Sequence, residues 1–545
     1  MTGIPYEQAL AAWRMSSPAV ARDNPLPRED LLARYHPDYR AETRTTIKVG
    51  PNAGDPCHRL VADWLHTNAR INEAALAGAT VTDTDVLVIG GGGAGCAAAL
   101  TATKAGAKVL VATKLRFGDS NTVMAEAGIQ AAVRPEDSPQ RHFEDTLRGG
   151  HFKGDKQLVA QMVMDAPDVI RWLIRLGMQF DHDGGDLRAR RPGGATADRI
   201  LCYRDCTGLE MMRVLREAVL NSSVTVWNRS PVVELLCDEH GHCAGAVVFS
   251  LDICRYCLVR AKAVILATGG SGRLHLNGFP TSNHFGATGD GLVLAYRLGA
   301  RVRDLDSFQY HPTGLADPLR LAGSLVSEAT RSAGATLVNG LGERFVDELK
   351  PRDQVAAAII RECEEGRGVV SGAGHRGVFL DTPALELREP GIIAKQFVSV
   401  VKLAKKCGHD PARLPFLVYP TLHFQNGGVV IDANGASSVP NLFCVGEVAG
   451  GVHGHNRLAG NALLEILSFG RRAGVKAAER SAAANPRKIL IEHVTQRQRE
   501  LTKAGLPLDR VGPPLFPDYA NFDKTDMYTP RARPAEVPAG ESAVT

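Results

Sequence analysis

The sequence predicts an α/β fold in which a Rossmann-like, doubly wound domain is interrupted by a smaller α+β unit. Two observations lead to this fold class. A β-α-β pattern with a glycine-rich turn begins at Asp85, and apolar strands that suit the same buried parallel sheet return near residues 262 and 441. Between these returns, residues 306–417 contain helices and loops of their own. This interruption predicts an inserted second unit.

The first strand–turn–helix segment predicts a dinucleotide site. Gly90, Gly92 and Gly95 form a G-x-G-x-x-G pattern between the strand DVLVIG and a helix of small residues. Glycines at this turn let the backbone approach a pyrophosphate, and the helix N-terminus attracts its negative charge. The next strand, AKVLVAT, leads into Thr113 and Lys114, where NAD sites usually have an acidic residue for the ribose hydroxyls. This difference weakens an NAD site and leaves FAD open.

Hydrophobic periodicity places the other elements along the chain. An amphipathic helix is expected near residues 58–77, and a second helix, at residues 158–177, ends at a glycine C-cap. The last 60 or so residues are Pro-rich and polar, and their tail is expected to become ordered only by docking. The further strands are VTVWN, PVVELLCD, CAGAVVFS, KAVILATGG, FLVYPTLHF and NLFCVGEVAGG, and a long helix is NALLEILSFGRRAGVKAAE.

These elements divide the chain into five ranges. The doubly wound domain is expected in two parts, on either side of the inserted unit. The ranges are an N-terminal extension at 1–80, the first part of the doubly wound domain at 81–305, the inserted unit at 306–417, the second part of the domain at 418–482 and a short C-terminal tail at 483–545.

Composition and charge exclude several classes of protein. The net charge of +4, without a run of Lys or Arg, gives no sign of the basic surface that nucleic-acid binding requires. Nowhere do 18 apolar residues follow one another, and the N-terminus lacks the regions of a signal peptide. Eleven scattered cysteines indicate reduced thiols, and the CxxC of Cys254 and Cys257 has no second ligand pair for zinc. We therefore expect a cytoplasmic protein without a membrane span or a metal site, which could approach a membrane only through a partner.

Nine segments, in one order, carry a family resemblance. From about Asp85 to Gly474 the chain resembles the flavoprotein subunits of fumarate reductase and succinate dehydrogenase, a family that also includes L-aspartate oxidase. The segments are VIGGGGAG, SNTVMAEAGIQAA, ATGG, ATGDG, YHPTG, SEATRSAGATLVNGLGERFVDELKPRD, PTLHFQNGG, NLFCVGEVAGGVHGHNRLAGNALLE and FGRRAG. The resemblance implies an FAD-binding domain interrupted by a capping domain, with a dicarboxylate substrate between them.

The resemblance also implies which residues hold FAD. These are Gly90, Gly92, Gly93, Ala94, Gly95, Thr113, Lys114, Ser120, Asn121, Thr122, Gly128, Asp290, Glu447, Asn461 and Leu463. Members that attach FAD covalently have a histidine within a Ser-His-Thr stretch, where this chain has Asn121. We therefore expect non-covalent FAD, whose lower potential in this family favours fumarate reduction over succinate oxidation.

For the reaction, the resemblance implies that Arg352, the arginine of an Arg-Asp pair, donates a proton to fumarate. An arginine is a poor acid in water, so a neighbouring cation and removal from solvent are needed. Glu328 and Arg331 are three residues apart, meet on one face if helical, and would reprotonate it. The residues that would surround the substrate are His311, Ser327, His423 and Arg457.

Three alternatives stay open. L-aspartate oxidase has the same fold, although about 80 residues before the glycine motif and a short Pro-rich end fit it less well. A reductase of another unsaturated acid is the second, because the stretch LADPLRLAGSLVS borders the substrate residues. A non-catalytic flavin-binding protein is the third, and the full set of charged residues argues against it. Arg344 is expected to be structural, and His455 either alters substrate access or points away. No run of iron–sulfur ligands is visible, so electrons are expected from an iron–sulfur or other electron-transfer protein, or from a diffusible donor.

Overall fold

A seven-stranded sheet is the centre of the larger of two units in the computed structural model, which describes residues 3–16, 26–485 and 488–515. The strand Thr80–Ile89 lies in its middle and has parallel neighbours on both sides. The residues Val86–Val88 are buried, which explains the continuous apolar run in the sequence. In order, the strands are Thr225–Trp227, Val109–Ala112, Thr80–Ile89, Arg255–Leu266, Cys243–Ser250 and Val232–Cys237, and Leu442–Cys444 pairs with the end of Arg255–Leu266.

Two long helices pack on this sheet and on each other. Gly93–Lys104 follows the glycine-rich turn, and Asn461–Ala482 returns to pack along it. Buried small residues, among them Ala97 and Ala473, let the two helix axes approach closely. This packing brings the segment after residue 440 back to the first β-α-β unit, as the sequence analysis expects of a doubly wound domain.

A six-stranded sheet is the centre of the smaller unit. It has its own buried apolar cluster, distinct from that of the larger unit. In order, its strands are Ile4–Pro5, Val369–Val370, Arg376–Asp381, Phe416–Gln425 and Phe308–Leu315, and Thr336–Val338 pairs with Arg376–Asp381. Because Phe416–Gln425 runs without a break through residue 417, the division that we now propose ends the smaller unit after Gln425. The smaller unit also includes Ile4–Pro5, from the N-terminal extension.

The helix predicted near residues 58–77 is much shorter in the structure. The structure has a helix at Arg59–Leu65, and a 3-10 helix at Glu73–Leu76. Between them the chain is not helical and pairs with a distant segment, since Asn68 N donates to Arg510 O at 2.8 Å. A tertiary contact thus replaces the local helical bonds, which periodicity alone does not reveal.

The segment after residue 482 contains more structure than predicted. Glu492–Lys503 is a helix, and Leu490 forms a bridge with Cys237 at the edge of the seven-stranded sheet. Buried Val494 belongs to the apolar cluster on the same strand. The part of the predicted tail at residues 516–545 lies outside the described residues.

The structure has further helices and strands besides these. The other α-helices are Tyr6–Met15, Arg28–Tyr35, Pro139–Gly149, Lys156–Arg175, Thr207–Leu220, Asp290–Arg297, Glu328–Ser332, Arg352–Glu364, Thr382–Arg388, Ile392–Gln396 and Val398–Cys407. The other strands are Arg44–Thr46, Pro56–His58, Ile129–Gln130, His182–Asp183, Asp186–Leu187, Ala189–Arg190, Ile200–Leu201, Val302–Arg303, Gly428–Val430 and Ala449–Gly450.

Candidate active site

One elongated cavity runs from the glycine-rich turn of the larger unit to the six-stranded sheet. Its empty volume, which includes space open to solvent, is about 1670 Å³. Residues of the turn, such as Gly90, line one end, and His311 and Arg352 of the smaller unit line the other. A single cavity therefore joins the predicted cofactor residues to the predicted substrate residues.

The glycine-rich turn leaves room for a ligand because its own backbone is tightly folded. Gly90 has φ 116°, and a Cβ atom there would overlap the carbonyl of Ala267. A Cβ atom on Gly95 would overlap the carbonyl of Gly90. Only glycine fits at these two positions, and the N-terminus of the helix Gly93–Lys104 is thereby turned to the cavity.

A lysine–aspartate pair borders the cavity beyond the second strand. Lys114 Nζ lies 2.6 Å from Asp290 Oδ2 and donates to Thr288 Oγ1 at 2.5 Å. Asp290 begins the helix Asp290–Arg297, so the pair joins two segments that are far apart in sequence. The basic residue that replaces the usual acidic one is therefore neutralised within the site.

The side chain of Asn121 connects three segments of the cavity wall. Its Nδ2 donates to Asn283 Oδ1 at 2.7 Å and to Glu447 Oε2 at 3.2 Å. Its Oδ1 accepts from the backbone N–H of His284 at 2.6 Å. Burial raises the pKa of Glu447 to about 7, although hydrogen bonds from Gln425 N and Asn121 oppose the rise.

At the other end of the cavity, Arg352, Glu328 and Arg331 form a buried chain of charges. Arg352 begins the helix Arg352–Glu364, and the other two residues lie on the short helix Glu328–Ser332. Glu328 Oε2 accepts from Arg352 Nε at 2.7 Å and from Arg331 Nη2 at 3.0 Å. Burial alone would raise the pKa of Glu328, but the charges of Arg352 and Arg331 outweigh burial and hold this pKa at about 2. Glu328 is therefore ionised.

The amide of Gln309 joins two arginines that the sequence analysis treats separately. Gln309 Oε1 accepts from Arg352 Nη1 at 2.9 Å and from Arg457 Nη2 at 3.1 Å. Its Nε2 donates to the backbone oxygen of Arg457 at 2.6 Å. Arg457 also stacks over the ring of Phe424, with the guanidinium carbon 4.5 Å from the ring centroid. Burial, and then the charge of Arg352, lowers the pKa of Arg457 to about 9.

The two histidines of the site are neighbours. The rings of His311 and His423 have centroids 5.2 Å apart. Burial, and then the charge of Arg352, holds the pKa of each histidine well below its ordinary range. His311 Nδ1 accepts from Thr313 N at 3.3 Å, so its proton lies on Nε2. His423 Nδ1 and Ser282 Oγ are 2.8 Å apart. Both rings are therefore neutral hydrogen-bonding groups.

A buried carboxyl group stands beside Ser327. Glu126 lines the cavity, and its carboxyl contacts the hydroxyl of Ser327. Its Oε2 atom has no hydrogen-bond partner among the described residues. Burial, and to a lesser extent Asp205, raises the pKa of Glu126 well above its ordinary range. The carboxyl is therefore neutral and has a free oxygen for a ligand.

Comparisons with known proteins identify the family. The sequence matches the family described as FAD binding domain over residues 85–463. It is 40% identical over 410 residues to one subunit of the CoM/CoB fumarate reductase of Methanothermobacter marburgensis, and the match covers 73% of each chain. It is 37% identical over 450 residues to L-aspartate oxidase of Streptomyces coelicolor, and that match covers 80% of this chain and 72% of the relative. The chain belongs to the FAD-dependent fumarate reductase, succinate dehydrogenase and L-aspartate oxidase family.

A solved structure supports the same assignment. A mutant of E. coli quinol fumarate reductase FrdA superposes with a TM-score of 0.69 at 32% identity, and the match covers 78% of this chain and 74% of that one. The resemblance, the fold class and the cofactor that the sequence analysis predicts are confirmed. This flavoprotein is an FAD-dependent oxidoreductase.

The residues of this flavoprotein fit FAD. The glycine-rich turn offers backbone and a helix N-terminus to a pyrophosphate, and one cavity joins this turn to the predicted substrate residues. The predicted cofactor residues that line the cavity are Gly90, Gly92, Gly93, Ala94, Thr113, Lys114, Ser120, Asn121, Thr122, Gly128, Asp290, Glu447 and Leu463.

Several residues that the sequence analysis singled out in this flavoprotein do not line the cavity. Gly95 packs behind the turn, and Arg331 stands behind Glu328. Asn461 is buried against His142 Nε2, at 2.8 Å. His455 Nε2 lies 3.5 Å from Asp304 Oδ1, away from the lining residues.

The structure adds functional candidates that the sequence analysis missed. They are Glu126, Asn283 and Gln309. Glu126 falls inside the segment SNTVMAEAGIQAA, and Gln309 stands just before YHPTG. The location of Glu126 and Gln309 in or beside these segments could have pointed to them. The sequence does not show which side chains of a segment face the cavity.

Other expectations concern metals and membranes. Among residues 3–16, 26–485 and 488–515, no group of three or more His, Cys, Asp or Glu side chains is arranged to hold a metal ion. The same residues include no helix with the length and apolar character to cross a membrane. All eleven cysteines are free thiols.

Proposed function

We propose that the chain reduces the carbon–carbon double bond of fumarate, or of a close dicarboxylate, with FAD as the hydride source and Arg352 as the proton donor. The observation that carries the proposal is the charge of the buried cluster. Arg352, Arg331 and Arg457 are cationic and Glu328 is ionised, while both histidines are neutral. Two positive charges are left without a counter-charge in this cluster, and a dicarboxylate dianion carries two negative charges.

The substrate is held by groups from both units. Arg457 comes from the larger unit, whereas His311 and His423 come from the two adjacent strands of the six-stranded sheet. Groups that converge from separate segments fix the position of both carboxylates, and the fixed donors stabilise the charge that develops in the transition state. FAD, when bound and reduced, supplies the hydride equivalent that the reduction consumes.

Arg352 supplies the proton. Its guanidinium N–H bond breaks as a C–H bond forms at the second alkene carbon, which leaves a neutral guanidine and completes succinate. Arg352 is buried, and Gln309 joins it to the second cation Arg457, which gives the surroundings that proton transfer from an arginine requires. Glu328, 2.7 Å away, then passes a proton from Arg331 to Arg352.

The electrons for repeated turnover come from outside the chain. The sequence has no run of iron–sulfur ligands, and the relative from Methanothermobacter marburgensis is named as one subunit of a fumarate reductase. We propose an iron–sulfur or other electron-transfer protein as the partner. We also propose that this chain itself lies outside the membrane.

The test is a comparison of three purified holoenzymes. Wild type is expected to oxidise reduced viologen when fumarate is added, and Arg352→Gln is expected to lose this activity while it retains FAD. Arg361→Gln is the matched control, because Arg361 is a buried arginine on the same helix, outside the cavity. Loss of activity in both variants, or in neither, contradicts the role of Arg352. If the wild-type holoenzyme does not oxidise reduced viologen when fumarate is added, fumarate reduction is refuted.

L-aspartate oxidation is the second candidate, and one observation favours it. Glu126 lines the cavity, and its buried Oε2 has no hydrogen-bond partner among the described residues. An α-ammonium group beside Glu126 would lower the pKa of its carboxyl group, which would then ionise and accept hydrogen bonds from the ammonium group. Hydrogen peroxide production from L-aspartate and oxygen tests this activity. If aspartate is the substrate, Glu126→Gln abolishes peroxide production; if fumarate is the substrate, wild type makes no peroxide from aspartate. A non-catalytic flavin-binding protein would bind FAD and do neither.

A further inference from the structure

The segment at residues 26–58 lies outside the family match, which begins at residue 85, and it touches both units of the protein. Its first half packs on the smaller unit. Leu31 and Leu32 of the helix Arg28–Tyr35 are buried against Ile360 of the helix that begins at Arg352. Tyr35 Oη donates to Glu365 Oε1 at 2.6 Å. The helix of this segment thus lies along the helix of the proposed proton donor.

The second half of the segment is bound to the larger unit. Asn52 exchanges two hydrogen bonds with the backbone of Val302, at 2.8 and 2.9 Å. Tyr296 Oη donates to Val49 O at 2.8 Å, and His58 N donates to Leu305 O at 3.2 Å. These partners belong to the stretch that leads from the larger unit into the six-stranded sheet. The segment therefore crosses the junction between the units.

Asp38 stands at the crossing point. It is 4% exposed, and its Oδ2 accepts from the backbone N–H of Phe308 at 2.7 Å. Phe308 is the first residue of the strand Phe308–Leu315. The next residue is Gln309, which holds two arginines of the active site. A carboxyl from outside the family match thus fixes the start of the strand that carries the substrate residues.

A second contact reaches the residue beside the proton donor. Arg28 Nη2 lies 3.7 Å from Asp353 Oδ2, to which His151 Nε2 is also bonded at 2.7 Å. His151 belongs to the larger unit, and Asp353 to the first turn of the helix that begins at Arg352. The segment therefore supports both elements that carry the proton-donor end of the site.

We propose that residues 26–58 form a strap across the junction of the two units, and that Asp38 is a positioning residue which holds Gln309 and His311 ready for substrate. The strap acts through the backbone of Phe308 and touches neither substrate nor cofactor. It keeps the substrate side chains assembled before a ligand binds, so that binding energy is not consumed in ordering them. The identity of the ligand rests on the proposed function, whereas the effect of the strap on the order of the strand Phe308–Leu315 does not.

The test uses full-length holoenzyme with Asp38→Ala, Asp38→Asn and Tyr35→Phe. Asp38→Ala removes the acceptor of Phe308 N–H, and Asp38→Asn keeps a carbonyl oxygen there. Tyr35→Phe is the matched control, because it removes a strap hydrogen bond at the opposite end of the helix Arg352–Glu364. Amide hydrogen exchange, measured without any added dicarboxylate, reports how well ordered residues 308–311 are. Malonate titration, followed by the flavin spectrum, and steady-state kinetics with fumarate report the site.

Asp38→Ala is expected to speed amide exchange at residues 308–311, and to raise the malonate Kd and the fumarate KM about tenfold while the FAD content is unchanged. Asp38→Asn and Tyr35→Phe are expected to stay close to wild type. Arg28→Ala changes a side chain that is 32% exposed, and it tests the strap if Asp38→Ala does not fold. It is expected to speed exchange in the first turn after Pro351.

Unchanged exchange at residues 308–311 in Asp38→Ala, or at the first helical turn in Arg28→Ala, overturns the strap. An equal rise of KM in Tyr35→Phe does the same, because it would mark a general loss of structure. If wild type binds no malonate and ignores fumarate, the proposed function is wrong, and the exchange rates alone decide the strap. The two proposals therefore fail separately.

Discussion

Replacement of Glu328 by glutamine tests the charge chain at its centre. Glu328 contacts Arg352 at 2.7 Å and Arg331 at 3.0 Å in a buried site. Glutamine keeps the size of the side chain but removes the charge that both guanidiniums face. We expect Glu328→Gln to be less stable than wild type and to lose proton delivery.

The size of the stability loss follows from the pKa of Glu328. It is held at about 2, compared with an ordinary value of 4.5. At about 1.36 kcal/mol per pKa unit, folding favours the ionised form by about 3 kcal/mol. This agrees in size with the roughly 3–5 kcal/mol that breaking a buried ion pair costs. Because the folded-state pKa is depressed, the stabilisation is complete above pH 4.5 and is lost as the pH falls toward 2.

The assay is denaturant unfolding of both holoenzymes, together with fumarate turnover at saturating substrate. The variant is expected to unfold with about 3 kcal/mol less free energy at pH 7, and the difference is expected to shrink below pH 4.5. Turnover is expected to fall at least about 100-fold, the lower end of general-acid effects. Glu362→Gln is the matched control, since Glu362 is a buried carboxylate of the smaller unit that pairs with Arg367 at 2.7 Å.

The control is expected to lose stability and to keep turnover per folded molecule. Glu328→Gln with wild-type stability at pH 7 would refute the electrostatic reasoning. Wild-type turnover in a stable Glu328→Gln would refute its place in proton delivery.

Three further predictions concern the cofactor, Gln309 and Glu447. Acid precipitation is expected to release FAD into the supernatant, because Asn121 replaces the histidine of covalent members; flavin in the pellet would contradict this. Gln309→Met is expected to raise the fumarate KM about tenfold or more in steady-state assays, since buried Arg352 and Arg457 lose an acceptor. An unchanged KM would contradict a role of Gln309 in positioning these two arginines. The apoprotein is expected to lose about 3 kcal/mol of stability from pH 4.5 to above 7, because the folded-state pKa of Glu447 is raised from 4.5 to about 7. Glu447→Gln should remove this loss, and parallel pH curves for the two proteins would count against it.

Much of the fold could be predicted because its signals are local. The strand before Gly90, the glycine turn and the helix Gly93–Lys104 depend on apolar runs and on backbone freedom within a few residues. The pairing of Glu328 with Arg331 follows from helical spacing in the same way. The prediction of one continuous helix at residues 58–77 was wrong for the converse reason, because the backbone of Asn68 bonds to Arg510, which is far away along the chain.

The sequence by itself determined the α/β class, the dinucleotide turn, the family and the types of charged residue at the site, because each depends on residue type and short spacing. Only the tertiary structure decided that Gln309 lies between Arg352 and Arg457, that Glu126 has a free buried oxygen, and that residues 26–58 cross the two units. These contacts join segments far apart along the chain. Their distances and burial, and therefore their pKa values, exist only after the sheets have packed.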